Sequence, residues 1–157
     1  TAIYLHGGIL HILFNMLWLR NLGHPVENIF GTARAFLIFT LSGVVGFYIS
    51  DIANISFTIG ASGSIFGLLG ALVYYGWKSG NTGLFRQVGQ WAIILFVMGF
   101  LLPGVNNLAH LGGFIGGAGS AALLGYDGIK RENNGHRLAA LATIVLTLVC
   151  FVLAIIN

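Results

Sequence analysis

The sequence carries little charge. Only 7% of its 157 residues are Asp, Glu, Lys or Arg, against roughly 25% in a soluble domain. With 57% hydrophobic residues and a mean hydropathy of +0.90, the chain cannot face water over most of its surface. An integral membrane protein is expected. Cysteine is almost missing: Cys150 stands alone, so no internal disulfide can form, and it reads as a small lipid-facing or packing residue. Acids number four, and no intramembrane pair of them suggests an aspartyl protease or a proton relay. There is no HExxH, which removes an intramembrane zinc protease. No clear internal repeat points to a transporter. Prolines number two, low-complexity runs are absent, and glycine is abundant at 24 residues. Glycine is common where membrane helices touch, so a tightly packed bundle is expected.

What remains is apolar runs. A spanning helix needs roughly 20 apolar residues, and six candidates stand at 8–22, 34–50, 61–77, 89–102, 107–125 and 138–156. The fold class is therefore all-α, a polytopic transmembrane helix bundle. The fourth segment is short and ends at Pro103-Gly104; the longest polar linker is 126–137. Arg20 and Arg34 flank the first connection, Lys78 and Arg86 the third, and Lys130, Arg131 and Arg137 the fifth. The connections near Asp51 and near 103–107 hold no Lys or Arg. All the basic residues thus fall on one side, which the positive-inside rule makes cytoplasmic. The net charge of +3 follows from topology, and no nucleic-acid partner is needed to explain it. No cleavable signal peptide is visible, and the opening "TAIYLHGG" suggests a piece of a longer chain. Oligomeric state is left open.

The unusual polar residues share one depth. Ser62 lies 16 residues before Lys78, His110 17 before Asp127 and His11 16 before Glu27. At 1.5 Å per residue, each sits roughly 24–26 Å from the cytoplasmic boundary. Their helices, the first, third and fifth, all run from the outer side inward. Small residues recur along two of them. Gly63, Gly67 and Ala71 form a row in the third; Ala109, Gly113, Gly117, Ala121 and Gly125 form one in the fifth, with Gly112, Gly116 and Ser120 beside it. Such rows let backbones approach closely, so the third and fifth segments are expected to pack together. His110 lies within about 60° of Gly113 and Gly117 on the helical wheel, which turns its face toward Ser62.

This arrangement suggests chemistry. A serine hydroxyl is a weak nucleophile until a base takes its proton, and histidine is the usual base. Ser62, after Gly60 at a helix start, is the candidate nucleophile and His110 the candidate base. With no acid beside His110, a two-residue dyad is expected, its imidazole oriented by packing. Phe66, one turn after Ser62, is placed to stack on it. His11 and Asn15, at i and i+4, face one point and are plausible donors to an oxyanion. His6 lies a turn or two above and can support His11. His24 and His136 are assigned to solvated connections. The plainer readings are helix–helix hydrogen bonding and glycine packing without chemistry. One rival function is a membrane protein that holds transmembrane helices without cutting them. Another is a haem- or metal-binding bundle built on His6, His11 and His110.

Three motifs in order carry a resemblance: "HGGILHILFNMLWLRNLGHPVENIFG" (6–31), "GASG" (60–63) and "AHLGGFIGG" (109–117). The chain resembles the rhomboid intramembrane serine proteases. The resemblance implies Ser62 as nucleophile and His110 as base, with no metal and no cofactor. It implies an oxyanion hole of His11, Asn15 and the Ser62 backbone N–H. Gly113 and Gly117 would be close-packing glycines, Gly60 and Gly63 would flank the nucleophile, Phe66 would stack on the histidine and Glu27 would be a structural acid. The substrates implied are transmembrane segments of membrane proteins, cut near the outer face. Residues 1–128 would then be the protease core without the family's first helix, and 129–157 a cytoplasmic linker with an extra C-terminal helix. By family analogy and its length, the fourth segment is the candidate mobile gate. The basic asymmetry and the lack of a transit peptide favour a bacterial inner membrane, with the site opening to the extracytoplasmic side.

Overall fold

Caps and core contacts, more than hydropathy, set where the helices of this protein begin and end. The computed structural model describes residues 1–55 and 58–156. Among these, a short 3-10 turn (Ala2–Tyr4) precedes six helices: α1 (Ile9–Phe30), α2 (Thr32–Ile52), α3 (Ser62–Lys78), α4 (Thr82–Leu101), α5 (Asn107–Leu124) and α6 (Asn134–Ile156). No strand occurs among the described residues. The chain is all-α, as its composition requires.

Three helix ends differ from the sequence reading by four residues or more, the smallest being the start of α6, at Asn134 rather than 138. The first segment continues past 22, through Gly23-His24-Pro25, to Phe30. Proline inside a helix removes one backbone hydrogen bond. Here Leu22, Val26 and Phe30, spaced by four and fully buried, hold the helix on the core across that gap. His24 is therefore a helical residue and not a loop residue. The fourth segment is not short. Asn81 caps α4 by accepting from Leu84 N–H at 3.0 Å, eight residues before the apolar run begins at 89. Val88 and Ala92 turn inward while Arg86, Gln87 and Gln90 lie exposed. Its 20 residues remove the ground for singling α4 out by length.

Among the described residues, three helices are long and apolar enough to cross a bilayer: Thr32–Ile52, Thr82–Leu101 and Asn134–Ile156. The protein is an integral membrane protein of helical-bundle type. α6 lies against α2 through Ala33, Leu37 and Ala140 and exposes Val145, Leu146, Leu148 and Val152 on its outer face, as a lipid-facing helix does. α3 is the opposite case. Every residue from Gly63 to Leu72 is buried, so its surroundings are protein. Its backbone nearly touches two neighbours. A Cβ at Gly117 would overlap Gly67 O, one at Gly113 would lie 3.0 Å from Gly63 Cα, and one at Gly67 would overlap the Ser42 side chain of α2. The second glycine row of α5 meets α2: a Cβ at Gly112 would stand 3.0 Å from Gly46 Cα, and one at Gly116 3.2 Å from Ser42 Cα. α2, α3 and α5 thus interlock through glycine and serine, without long side chains between them.

Candidate active site

Ser62 is the first residue of α3, and the bend that delivers it depends on Gly60. Gly60 has φ +118°, a conformation L side chains rarely adopt, and a Cβ there would stand 2.6 Å from His11 Nε2. Its N–H is tied to Ala2 O at 3.1 Å. The first turn of α3 closes with Ile65 N–H bonding Ala61 O at 2.9 Å. The amides of Ser62, Gly63 and Ser64 precede that bond, at the positive end of the helix.

His110 enters from the first turn of α5. Asn106 caps this helix, its side-chain oxygen accepting from Leu108 and Ala109 N–H at 3.1 Å each. Asn106 Nδ2 also donates to Ser50 Oγ at 2.9 Å and Thr58 Oγ1 at 2.7 Å. The start of α5 is thereby fixed to the end of α2. The glycine contacts then set the distance between α5 and α3. The outcome is His110 Nε2 at 2.9 Å from Ser62 Oγ. The imidazole is buried and lies flat on Phe66, ring centres 4.3 Å apart and planes 12° apart. A Cβ at Gly63 would press within 3.3 Å of Ala109 O, next to His110.

His11 and Asn15 stand on α1 at the same end of the bundle. Gly7 N–H reaches His11 Nδ1 at 3.3 Å, which places the ring proton on Nε2, over Gly60. Asn15 is buried; its Nδ2 donates to His11 O at 2.9 Å and would lie 3.8 Å from a Gly60 Cβ. Asn15 Oδ1 is buried without a protein partner. His6 meets the His11 ring edge to face at 5.0 Å. Glu27 is at the far end of α1, accepting from the Thr32 hydroxyl at 2.6 Å. Asp51 lies within α2. His136 is buried in the first turn of α6 and exchanges hydrogen bonds with Asn133 at 3.1 and 3.2 Å. It is not the solvated linker residue expected, because this exchange caps the helix. Among the described residues, no group of three or more His, Cys, Asp or Glu is placed to hold a metal ion. A cavity of about 550 Å³ lies between α1 and α2, lined also by His6, Ala61 and Leu68; neither Ser62 nor His110 lines it.

Sequence reasoning passes over two residues. Asn107 Oδ1 lies 3.2 Å from His110 Nδ1; its i−3 spacing is the signal in the sequence, carried by a carboxamide rather than a carboxylate. Arg34 is fully buried. It donates to Phe30 O, to Lys130 O at 2.6 Å and to Leu124 O at 3.5 Å, and pairs with Asp127. Counting basic residues for topology treats it as a surface charge.

Fold and site together define a class: an all-helical integral membrane protein with a serine and a histidine paired in its interior. A family profile described as "Rhomboid domain" matches residues 1–127. "Rhomboid protease GluP" of Bacillus subtilis is 36% identical over 96% of this chain and 30% of its own length. "RHOMBOID-like protein 4" of Arabidopsis thaliana is 37% identical over 84% of this chain and 34% of its own. "Rhomboid-type serine protease 2" of Emericella nidulans is 34% identical over 71% and 24%. The chain belongs to the rhomboid family. It spans between about a quarter and a third of the length of these relatives.

Proposed function

We propose that this chain is the catalytic core of an intramembrane serine endopeptidase acting on transmembrane segments of membrane proteins. The observation that carries the reading is the 2.9 Å contact of Ser62 Oγ with His110 Nε2 inside a membrane bundle. Two relatives, a rhomboid protease and a rhomboid-type serine protease by name, support it. In this mechanism Ser62 Oγ attacks the scissile carbonyl as His110 Nε2 takes its proton. The negative oxygen is held by His11 Nε2–H, Asn15 Nδ2–H and the Ser62 backbone N–H. His110 then gives its proton to the leaving amine, and an acyl-Ser62 remains. Water, deprotonated by His110, attacks that ester and frees the serine. The substrate helix must unwind locally to present its carbonyl, so helix-weakening residues at the cut favour reaction. The basic residues of the α3–α4 and α5–α6 connections support an orientation with these connections in the cytoplasm; in this reading the site opens on the extracytoplasmic side of a bacterial inner membrane.

The test is labelling by a fluorophosphonate probe in native membranes, using the full-length protein that contains this chain. Labelling of the parent and its loss in both Ser62→Ala and His110→Ala is the expected result. A folded parent that never labels would replace this reading with a rhomboid-like protein that binds transmembrane helices without cutting them.

A further inference from the structure

We propose that Asn107 is a positioning residue for His110, its carboxamide oxygen holding the imidazole in the orientation and tautomer that leave Nε2 free to accept from Ser62. The inference rests on reading Ser62 and His110 as nucleophile and base. Asn107 opens α5 and His110 follows three residues later, so both lie on one face of the first turn. One ring nitrogen is 3.2 Å from Asn107 Oδ1 and the other 2.9 Å from Ser62 Oγ. A carboxamide oxygen only accepts. Nδ1 therefore carries the proton, and Nε2 presents a lone pair to the serine hydroxyl.

Packing alone does not achieve this. The stack on Phe66 fixes the plane of the imidazole. A half-turn about Cβ–Cγ preserves that plane and the stack, yet it swings Nε2 away from Ser62. The Nδ1–H to Oδ1 bond distinguishes the two orientations. When Ser62 gives its proton to Nε2, both ring nitrogens are protonated. Asn107 continues to accept from Nδ1 and takes no proton itself, as a neutral orienting group does. The carboxamide is confined in turn. Gly99 of α4 leaves the space it occupies: a Cβ there would overlap Asn107 Oδ1 and lie 3.1 Å from Val105 Cγ1. Asn106 already supplies the helix cap, so the oxygen of Asn107 is left for His110.

Two measurements on the full-length protein test this. The first compares fluorophosphonate labelling rates of the parent, Asn107→Leu and Asn107→Asp. Asn107→Leu keeps the bulk and loses the acceptor, and is expected to label about tenfold more slowly, the size of one lost hydrogen bond. Asn107→Asp keeps the acceptor and is expected to restore most of the rate. The second reads the His110 ring by ¹⁵N NMR in a Ser62→Ala background, with and without Asn107→Leu. The expected spectrum has Nδ1 protonated and Nε2 bare, giving way to mixed tautomers without Asn107. Parental labelling in Asn107→Leu, an unchanged tautomer in that variant, or an Nε2–H tautomer with Asn107 present would each overturn the proposal. Because the NMR arm needs no activity, a parent that never labels but shows the tautomer change would remove the protease reading and leave the Asn107–His110 pairing standing.

Discussion

His11 and His110 are set in opposite tautomers by neutral neighbours. Gly7 N–H at His11 Nδ1 makes that ring a donor through Nε2. Asn107 Oδ1 at His110 Nδ1 makes the other an acceptor through Nε2. One histidine suits holding a developing negative charge and the other taking a proton, although both are the same residue type. Asn15 adds a second N–H beside His11, on a side chain whose burial prevents it from rotating away. Within the proposed reaction, Asn15→Ala should lower kcat for a transmembrane substrate by about 10²–10³-fold, worth roughly 3–4 kcal/mol of transition-state stabilisation, with KM little changed. Reconstituted vesicles with a reporter substrate give both constants. A raised KM at constant kcat would instead make Asn15 a ground-state binding group. At this scale the sequence is informative where a periodicity applies. The i, i+4 pair on α1 and the wheel position of Phe66 are readable from spacing. Arg34 is not, because its partners Asp127 and Lys130 are brought near only by the fold; Asn107 is, since it stands three residues before His110.

Helix pairs are held here by glycine rows, and the two rows on α5 serve different neighbours. Gly113 and Gly117 meet α3, while Gly112 and Gly116 meet α2. Both rows are visible in the sequence, but only the first could be assigned a partner. A small face shows that something approaches closely and leaves open which helix it is. The same limit applies to element ends. Hydropathy misses the polar first turns of α4, where the Asn81 cap decides, and the end of α1, where core contacts at Val26 and Phe30 outweigh Pro25. A paired substitution tests the packing account. Gly117→Ala forces a methyl against Gly67 O, whereas a Cβ at Gly119 meets nothing within 4 Å. Gly117→Ala should cost about 1–3 kcal/mol of stability and slow probe labelling as α5 separates from α3. Gly119→Ala should leave both unchanged. Unfolding in mixed micelles measures the first and labelling kinetics the second. Equal behaviour of the two variants would mean that the close approach at Gly117 is not what sets the Ser62–His110 distance.

The two ends of the bundle divide the work. The end bearing Ser62 and His110 carries Asp51 as its one acid and, among the described residues, no Lys or Arg; the other holds a charged clasp. There the linker between α5 and α6 turns back to the α1–α2 junction. Glu132 accepts from Ala33 N–H at 2.8 Å and Arg34 N–H at 3.4 Å, capping α2 from 98 residues away. Arg137 Nε reaches the same carboxylate at 3.3 Å. Asp127 pairs with Arg34 and also accepts from Glu132 N–H at 3.2 Å. Burial pushes the Glu132 carboxyl up, but the backbone N–H bonds and Arg137 outweigh that and hold it below the usual carboxylate range. A carboxyl depressed on folding contributes stability that is fully present above its unfolded value, 4.5, and is lost as pH falls through the lower folded value. Glu132→Gln keeps an acceptor for α2 but loses the charge facing the helix N-terminus and Arg137. The parent should therefore be more stable than Glu132→Gln near neutral pH. The gap should close as pH falls from 4.5 through the carboxyl's lower folded value, where the parent's own carboxyl becomes protonated. Unfolding midpoints of both proteins across pH 3–7 in mixed micelles measure this. A gap that stayed constant over that range would mean the carboxylate charge plays no part in the clasp, and that Glu132 matters only as a hydrogen-bond acceptor joining the linker to α2.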